Sequence, residues 1–220
     1  MPIDRALVSG SGNCWDTLST LVAADGSKGH SLFARLGSGV PGMRDLADAV
    51  HHIAILHGRH PGVVDLAASH VPETVSSWMA SVNEQFATER AYLVRLVAAV
   101  GPLPSTPGQA ESEAAVAAQQ HALEMLGQSD RRGCALGASV ALILDWPSVR
   151  QMLDVAADRV GIDPPALNLP ELSDTAAVVL AASEGLAIER AMAFGAQQLL
   201  AQHRGLWDLL EARASARDAH

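Results

Sequence analysis

Apolar residues recur at helical spacing along most of the chain beyond residue 41. When about 100° is assigned to each residue, those between residues 73 and 100 share one face: Val75, Met79, Val82, Phe86, Leu93, Val97 and Val100. β-branched residues do not alternate with polar ones over more than a few positions, so no strand is predicted. The pattern therefore predicts an all-α protein.

Proline and glycine clusters divide the apolar pattern into separate helices. The cluster "GRHPG" at residues 58–62 ends the first long helix, and "GPLPSTPG" at residues 101–108 ends the second. Two shorter helices are predicted nearer the start, in "CWDTLSTLVAA" and "SLFARL". The longer helices are predicted over residues 42–57, 73–100, 109–127, 131–160 and 173–213.

We predict a single domain whose main part is a helical bundle over residues 41–213. Four long helices form two similar hairpins, and the helix over residues 109–127 is additional to them. The second and fourth long helices are expected to be central. Residues 1–40 are expected to pack at the periphery, and residues 214–220 are expected to fray.

A short internal similarity supports the two-hairpin arrangement. Residues 84–91 read "EQFATERA", and residues 184–191 read "EGLAIERA". Upstream of each, a predicted helix ends in Gly-x-x-Pro, as "GRHP" and as "GIDP". Duplication of one hairpin accounts for the similarity, and so does coincidence in an Ala-rich helical chain; the sequence leaves both open.

Two Glu-Arg pairs lie within the predicted apolar faces. Glu89 and Arg90 fall within the stripe of the second long helix, and Glu189 and Arg190 within that of the fourth. Each pair needs partners, because isolated charges are costly to bury. Three interpretations stay open: a structural network in which each Glu faces the Arg of the other helix, an anion-binding site, or a metal site.

Four of the nine histidines lie within residues 51–60. Their helical phases differ, and only His57 continues the apolar stripe of the first long helix. His52 is predicted on the solvated face beside Asp48, as an i,i+4 pair. His203 lies near the edge of its stripe and receives no role. His57 is therefore the candidate inward-facing histidine, either as a core residue or as a ligand.

The charge balance argues against several classes of partner. The net charge is −9 and Lys28 is the only lysine, whereas nucleic acids and anionic membranes are bound by basic patches. The two cysteines lie far apart and predict no disulfide framework. Because no secretory signal is found and the apolar runs are too short to span a bilayer, we expect a cytoplasmic protein.

Short motifs name no reaction. The chain has no P-loop, no HExxH and no GxSxG motif, and no GxGxxG motif follows a predicted strand. Gly133 and Gly137 form a GxxxG pattern, which predicts a close contact between two helices.

Four long helices with inward glutamates resemble the ferritin-like bundle over nearly the whole predicted bundle. Di-metal members of that family carry Glu-x-x-His on the second and fourth helices. The matching positions here read "ERAY" at residues 89–92 and "ERAM" at residues 189–192. The resemblance implies iron or manganese held by Glu89, Glu189 and His57. A haem-oxygenase-like helical fold is similar to the same pattern.

Two functions from different classes follow from these observations. The first is a non-enzymatic helical protein without a cofactor, which binds a partner or a small anionic ligand through Arg90 and Arg190. The alternative is a ferritin-like, metal-dependent oxidoreductase that uses Glu89, Glu189 and His57. In either case Ala-rich outer helix faces predict a homodimer.

Overall fold

The computed structural model describes residues 13–37 and 42–219. Residues 1–12 and 38–40 of the segment predicted to be peripheral lie outside the described residues, as do residue 41 and residue 220. Every regular element within the described part is helical and no strand occurs there, so the predicted all-α class is confirmed. No helix in these two ranges is both long enough and apolar enough to cross a membrane.

Nine α-helices follow one another along the described ranges. They are α1 (Cys14–Asp25), α2 (Ser31–Gly37), α3 (Met43–His57), α4 (Val63–Ala67), α5 (Ser76–Ala99), α6 (Gln109–Gly127), α7 (Cys134–Val160), α8 (Leu172–Ala182) and α9 (Leu186–Asp218). Two 3-10 turns, Ser27–Gly29 and Glu73–Val75, precede α2 and α5. Helix α4 was not predicted, because five residues are too few to establish a helical period.

Local sequence explains where several helices begin and end. Asn13 and Asp16 form a capping box at the start of α1, with each side chain accepting a hydrogen bond from the other's backbone N–H. Gly161 ends α7 with a φ of 71°, a conformation that glycine adopts at little cost. Pro147 stands inside α7, so that helix runs on continuously past it. The side chain of Asp145, two residues before this proline, lies in the core.

Helices α7 and α9 form the centre of the molecule and cross almost backbone to backbone. A Cβ at Gly137 would overlap the carbonyl oxygen of Met192, and a Cβ at Gly195 would overlap that of Cys134. The close contact predicted from the GxxxG pattern is confirmed. The central pair is α7 and α9; the prediction that the second and fourth long helices, α5 and α9, are central was therefore wrong for α5.

Substitution of Gly137 by Ala is expected to lower the free energy of unfolding by about 3 kcal/mol, the upper part of the usual range for overpacking. The atom in the way belongs to the backbone of α9, so the two helices must separate. Gly29→Ala is a matched control, because no atom lies within 4 Å of a Cβ built there. Chemical denaturation measures both; equal midpoints for the two variants would contradict the close crossing.

The described part of the N-terminal segment belongs to the core. Leu18, Leu32, Phe33 and Leu36 are buried in the same apolar cluster as the central helices. The prediction that residues 1–40 are peripheral is therefore wrong for residues 13–37. The physical reason is that α1 packs along α9 and α7, whose faces would otherwise be exposed there.

The last predicted helix differs from expectation at both ends. A break at Ser183 and Gly185 separates α8 from α9, and Gly185 has a φ of 108°. The similar segment at residues 84–91 lies in the middle of α5, so the two copies of the proposed repeat occupy different structural positions. Helix α9 continues to Asp218, which corrects the prediction of fraying from residue 214. Arg217 anchors that end to α3.

Candidate functional site

The structure separates the five residues predicted to form a site. Glu89 and His57 are buried, as predicted, and Arg90 is largely buried. Glu189 is half-buried and Arg190 is exposed. Both stand in the first turns of α9, just after the break, where the helical phase deduced for one continuous helix does not apply. The predicted pairing of each Glu with the Arg of the other helix is therefore wrong.

Glu89 instead forms an ion pair with Arg150 of α7. Its Oε1 accepts hydrogen bonds from Nη1 of Arg150 at 2.6 Å and from Nε2 of Gln85 at 3.1 Å. Its Oε2 accepts from the indole Nε1 of Trp146 at 2.9 Å. Only 1% of Glu89 is exposed, so the carboxylate is held as a structural acceptor and has no open face for a ligand.

Each of the three guanidinium nitrogens of Arg150 donates a hydrogen bond to another group of the protein. Its Nε donates to Oδ1 of Asp154 at 2.7 Å, its Nη2 donates to the carbonyl of Pro165, and its guanidinium lies 4.4 Å from the ring centroid of Tyr92. Burial lowers the pKa of Arg150, but the hydrogen bond to Asp154 and the charge of Glu89 outweigh it and raise the pKa overall. Arg150 is therefore a permanent cation that neutralises two carboxylates.

Arg90 is committed to a different partner. Its guanidinium donates two hydrogen bonds to the carboxylate of Asp65, at 2.9 and 3.2 Å, and the backbone N–H of Gly62 donates to the same carboxylate at 2.8 Å. Asp65 belongs to α4, the helix that the sequence did not predict. Because a bidentate pair of this kind occupies two of the guanidinium donors, those donors are not available to an anion.

A second buried polar group joins α7, α9 and α3. Oδ2 of Asp145 lies 2.7 Å from Nδ1 of His203, and Nε2 of His203 lies 2.9 Å from Nε2 of His57. Both the backbone N–H and the hydroxyl of Ser27 donate to Asp145, and Nε1 of Trp207 donates to the Ser27 hydroxyl at 2.8 Å. All of these side chains are buried, so the chain of hydrogen bonds is closed off from solvent.

The contacts fix one proton in this chain of hydrogen bonds. His203 donates its Nδ1–H to the carboxylate of Asp145, and the Nε2 atoms of His203 and His57 share a second hydrogen bond. Burial lowers the pKa of His57 well below its usual value, and the neighbouring His203 lowers it further. Hydrogen bonds from His203 and Ser27 outweigh the effect of burial and lower the pKa of Asp145.

The depressed pKa of His57 predicts a loss of stability in mild acid. Below pH of about 6.5 the unfolded chain protonates this histidine while the folded protein does not, so stability falls by up to about 1.4 kcal/mol per pH unit. Chemical denaturation between pH 7.5 and 5 measures the slope. His57→Gln should flatten it, whereas His121→Gln, at an exposed position, should not. An unchanged slope in His57→Gln would contradict a neutral His57.

The third buried polar group surrounds Asp48 on α3. Arg213 donates to both carboxylate oxygens, and Arg217 donates to Oδ2. Nδ1 of His52 donates to the backbone carbonyl of Asp48 at 2.7 Å, and His52 is fully buried. The predicted solvated position of His52 is therefore wrong. The end of α9, which was expected to fray, covers this face of α3.

Electrostatics in this group favour the ionised form of Asp48. Burial by itself raises the pKa of this carboxyl, but hydrogen bonds from His52, Arg213 and Arg217 together bring the pKa far below its usual value. The two guanidiniums share this buried carboxylate, and Arg217 also reaches Asp45 at 2.7 Å. The cluster therefore anchors the end of α9 to α3.

The residues proposed for a metal do not fit one. Glu89 is occupied by Arg150 and Trp146, Glu189 lies at the start of α9, and His57 bonds to His203. No group of three or more His, Cys, Asp or Glu side chains able to hold a metal ion occurs in the described ranges. Iron or manganese therefore has no donor set among these residues.

An open cleft of about 340 Å³ lies where three connections meet. The segment between α4 and α5 contributes Ser69, His70, Val71 and Pro72, and the α6–α7 loop contributes Ser129, Asp130 and Arg132. The remaining lining residues come from α7 and from both sides of the α8–α9 break: Gly133, Leu136, Ala182 and Ile188. The cleft thus has an apolar floor and a polar rim.

The charged groups of the rim are only loosely paired. Nη2 of Arg132 lies 3.6 Å from Oε2 of Glu184, and both side chains are 71% exposed. Nε2 of His70 lies 3.8 Å from Asp130, whose side chain is fully exposed, while its Nδ1 lies 3.1 Å from the carbonyl of Leu66. Surface pairs with this geometry contribute little, so a ligand can displace them. The guanidinium of Arg132 is exposed and weakly paired, whereas those of Arg150 and Arg213 are buried in close ion pairs.

Sequence reasoning missed most of these residues. The burial of Asp145 could have been predicted, because this residue directly follows the apolar run "CALGASVALIL" on a helix that has to be buried. His203 and Arg150 gave no such signal, since their partners lie more than 50 residues away. The cleft residues lie largely in connections, where no hydrophobic period exists to locate them.

Comparison with known proteins identifies the family. One family model matches residues 22–218, and its description is a family of unknown function, DUF6975. No curated protein and no solved structure matches the chain. The match spans most of the sequence, and the chain therefore belongs to this family of unknown function.

Proposed function

We propose that the protein is a non-enzymatic binding protein for a small anionic ligand, and that the ligand occupies the cleft at the α8–α9 break. The observation that carries this proposal is the combination of an open volume of about 340 Å³ with an exposed, weakly paired guanidinium, that of Arg132, at its rim. Pockets of about 300–1,000 Å³ with an apolar lining and a few polar groups are typical of small-molecule sites.

The polar groups best suited to acid–base chemistry lie elsewhere. Asp145, His203 and His57 are buried and bond to one another, and none of them lines the cleft. Among the described residues that line it, the hydroxyl of Ser69 lies 3.0 Å from Nδ1 of His70. Both groups also bond to the backbone carbonyl of Leu66, at 3.0 and 3.1 Å, so the backbone holds the hydroxyl and the imidazole in place. Binding without catalysis is therefore the function that we propose for this cleft.

A fluorescence titration with 8-anilinonaphthalene-1-sulfonate tests the proposal. We expect saturable binding of one molecule per chain and an affinity about tenfold weaker in Arg132→Gln, because a charge-assisted contact is removed. Arg190→Gln is the matched control: it removes the same charge from an exposed position outside the cleft lining. Binding to Arg132→Gln with the affinity of the unsubstituted protein would contradict the proposal.

We further propose a homodimer formed through an apolar groove between α6 and α9. Met125 and Phe194 are exposed there, and the groove also contains Ala122 and Leu126. Exposed apolar patches of this kind favour protein contacts. Light scattering is expected to give the dimer mass, and Phe194→Glu the monomer mass; a monomer mass for the unsubstituted protein at micromolar concentration would contradict the dimer.

We also propose that the protein is cytoplasmic and that its bundle is of the ferritin-like or haem-oxygenase-like kind. Two free, buried cysteines, Cys14 and Cys134, are consistent with a reducing compartment. Burial, with a smaller contribution from Glu189, raises the pKa of the Cys14 thiol to about 11, so this thiol is unreactive at neutral pH. The helical class is consistent with the resemblance and supports no activity by itself.

A further inference from the structure

We infer that the ligand of the cleft is an amphipathic monoanion, in which a single acidic headgroup is joined to a compact apolar body. This inference rests on the proposed function and names the chemical class of the ligand. Three properties of the cleft carry it: the composition of its floor, the charge count of its rim and its volume.

The floor offers contacts to an apolar body and few hydrogen bonds. Leu136, Ala182 and Ile188 contribute aliphatic side chains, and Val71 adds another from the neighbouring segment. Gly133 lies so close to α9 that a Cβ there would come within 2.8 Å of the carbonyl oxygen of Ile188. This part of the floor is therefore tightly packed. A sugar or another polyhydroxylated body would lose hydrogen bonds to water without replacement.

The rim can neutralise one negative charge and no more. Arg132 is the only arginine among the described residues that line it, and two carboxylates lie nearby: Glu184 is 3.6 Å from Arg132, and Asp130 is 3.8 Å from His70. A monoanion that displaces Glu184 from Arg132 exchanges one exposed ion pair for another. A dianion would bring a second charge towards these carboxylates with no further guanidinium to compensate it. The charge count therefore favours a monoanion.

The volume limits the size of the apolar body. At about 340 Å³ the cleft lies at the lower end of the range for small-molecule sites. It therefore suits a body of one or two fused rings or a short branched chain. Ser129 adds a hydroxyl group that accepts a hydrogen bond from the backbone N–H of Arg131 and can donate its proton to an oxygen of a carboxylate or a sulfonate.

Calorimetric titration with three related probes tests the inference. Naphthalene-1-sulfonate carries both the body and one charge, naphthalene-1,5-disulfonate adds a second charge, and methanesulfonate lacks the body. We expect the first to bind at least tenfold more tightly than either of the others. Equal affinities for methanesulfonate and naphthalene-1-sulfonate, or tighter binding of the disulfonate, would overturn the inference but leave anion binding intact. No heat of binding from any probe would overturn the proposed function itself.

The variant Glu184→Gln provides a second test. It should leave the stability of the fold unchanged, because 71% of this side chain is exposed. Removal of the competing carboxylate is expected to tighten binding of naphthalene-1-sulfonate about threefold. Glu84→Gln, an exposed position on α5 outside the cleft, should leave the affinity unchanged. Equal affinities in the two variants would show that Arg132 does not bind the headgroup and would overturn the inference.

Discussion

Glu89→Gln is expected to lower the free energy of unfolding by about 3–5 kcal/mol, the cost of breaking a buried ion pair on one side. The substitution leaves the guanidinium of Arg150 in the core without one of its two carboxylates. It also weakens the acceptor of the Trp146 indole N–H. Thermal or chemical unfolding measures the loss.

Glu84→Gln is the matched control for this prediction, because Glu84 lies on the same helix with an exposed side chain. Its expected effect on stability is within about 0.5 kcal/mol. In a double variant that also carries Arg150→Met, part of the loss should be recovered, because the charge and its counter-charge are removed together. A Glu89→Gln protein that is as stable as Glu84→Gln would contradict the structural role assigned to this pair.

Asp48→Asn is expected to have an effect of similar size, again about 3–5 kcal/mol. This substitution removes the carboxylate that Arg213 and Arg217 share, and two guanidiniums then lie close together without it. We expect the end of α9 to detach from α3 first, since these ion pairs join the two helices. Limited proteolysis should therefore cleave near the C-terminus of the variant before global unfolding.

Asp45→Asn serves as the control at this cluster. Asp45 accepts one hydrogen bond from Arg217 and is partly exposed, so its loss should cost about 1 kcal/mol or less. Equal stability losses for Asp45→Asn and Asp48→Asn would show that the buried carboxylate is no more important than the exposed one. The anchoring of α9 by Asp48 would then be wrong.

Helix positions could be predicted from the sequence because their signals are local. The clusters around Pro61 and Pro102 end helices whatever the rest of the chain does, and hydrophobic spacing identifies the inward face of α5. Burial of Glu89 and His57 followed from the same spacing. The close crossing at Gly137 also followed, since a GxxxG pattern on an apolar helix leaves room for the backbone of a second helix.

The partners of the buried charges could not be predicted in this way. Helical phase states that Glu89 points inward, but it does not state which helix lies opposite. That partner is Arg150 on α7, and the crossing of α5 and α7 that brings them together is a tertiary property. Arg190 was misplaced for a different reason: a short break at Ser183–Gly185 resets the phase of the helix that follows.

Errors at the ends of the chain had a common cause. Gly-rich and charged termini were expected to lie outside the core. His52 was placed on the solvated face by helical phase, which does not show that the end of α9 covers that side of α3. In the structure, Arg213 and Arg217 form ion pairs with Asp48, and α9 continues along α3 to Asp218. The terminal charges are satisfied by distant residues, and composition alone contains no information about such pairs.

The function that we propose requires that a small anion binds in the cleft beside the α8–α9 break. A two-dimensional 15N–1H spectrum of the assigned protein, recorded during titration with naphthalene-1-sulfonate, locates the bound anion directly. We expect the shift changes to concentrate in residues 69–72, 129–136 and 182–188, and to saturate together. Changes confined to the α6–α9 groove around Met125 and Phe194, or no saturable change at any amide, would contradict binding at this cleft.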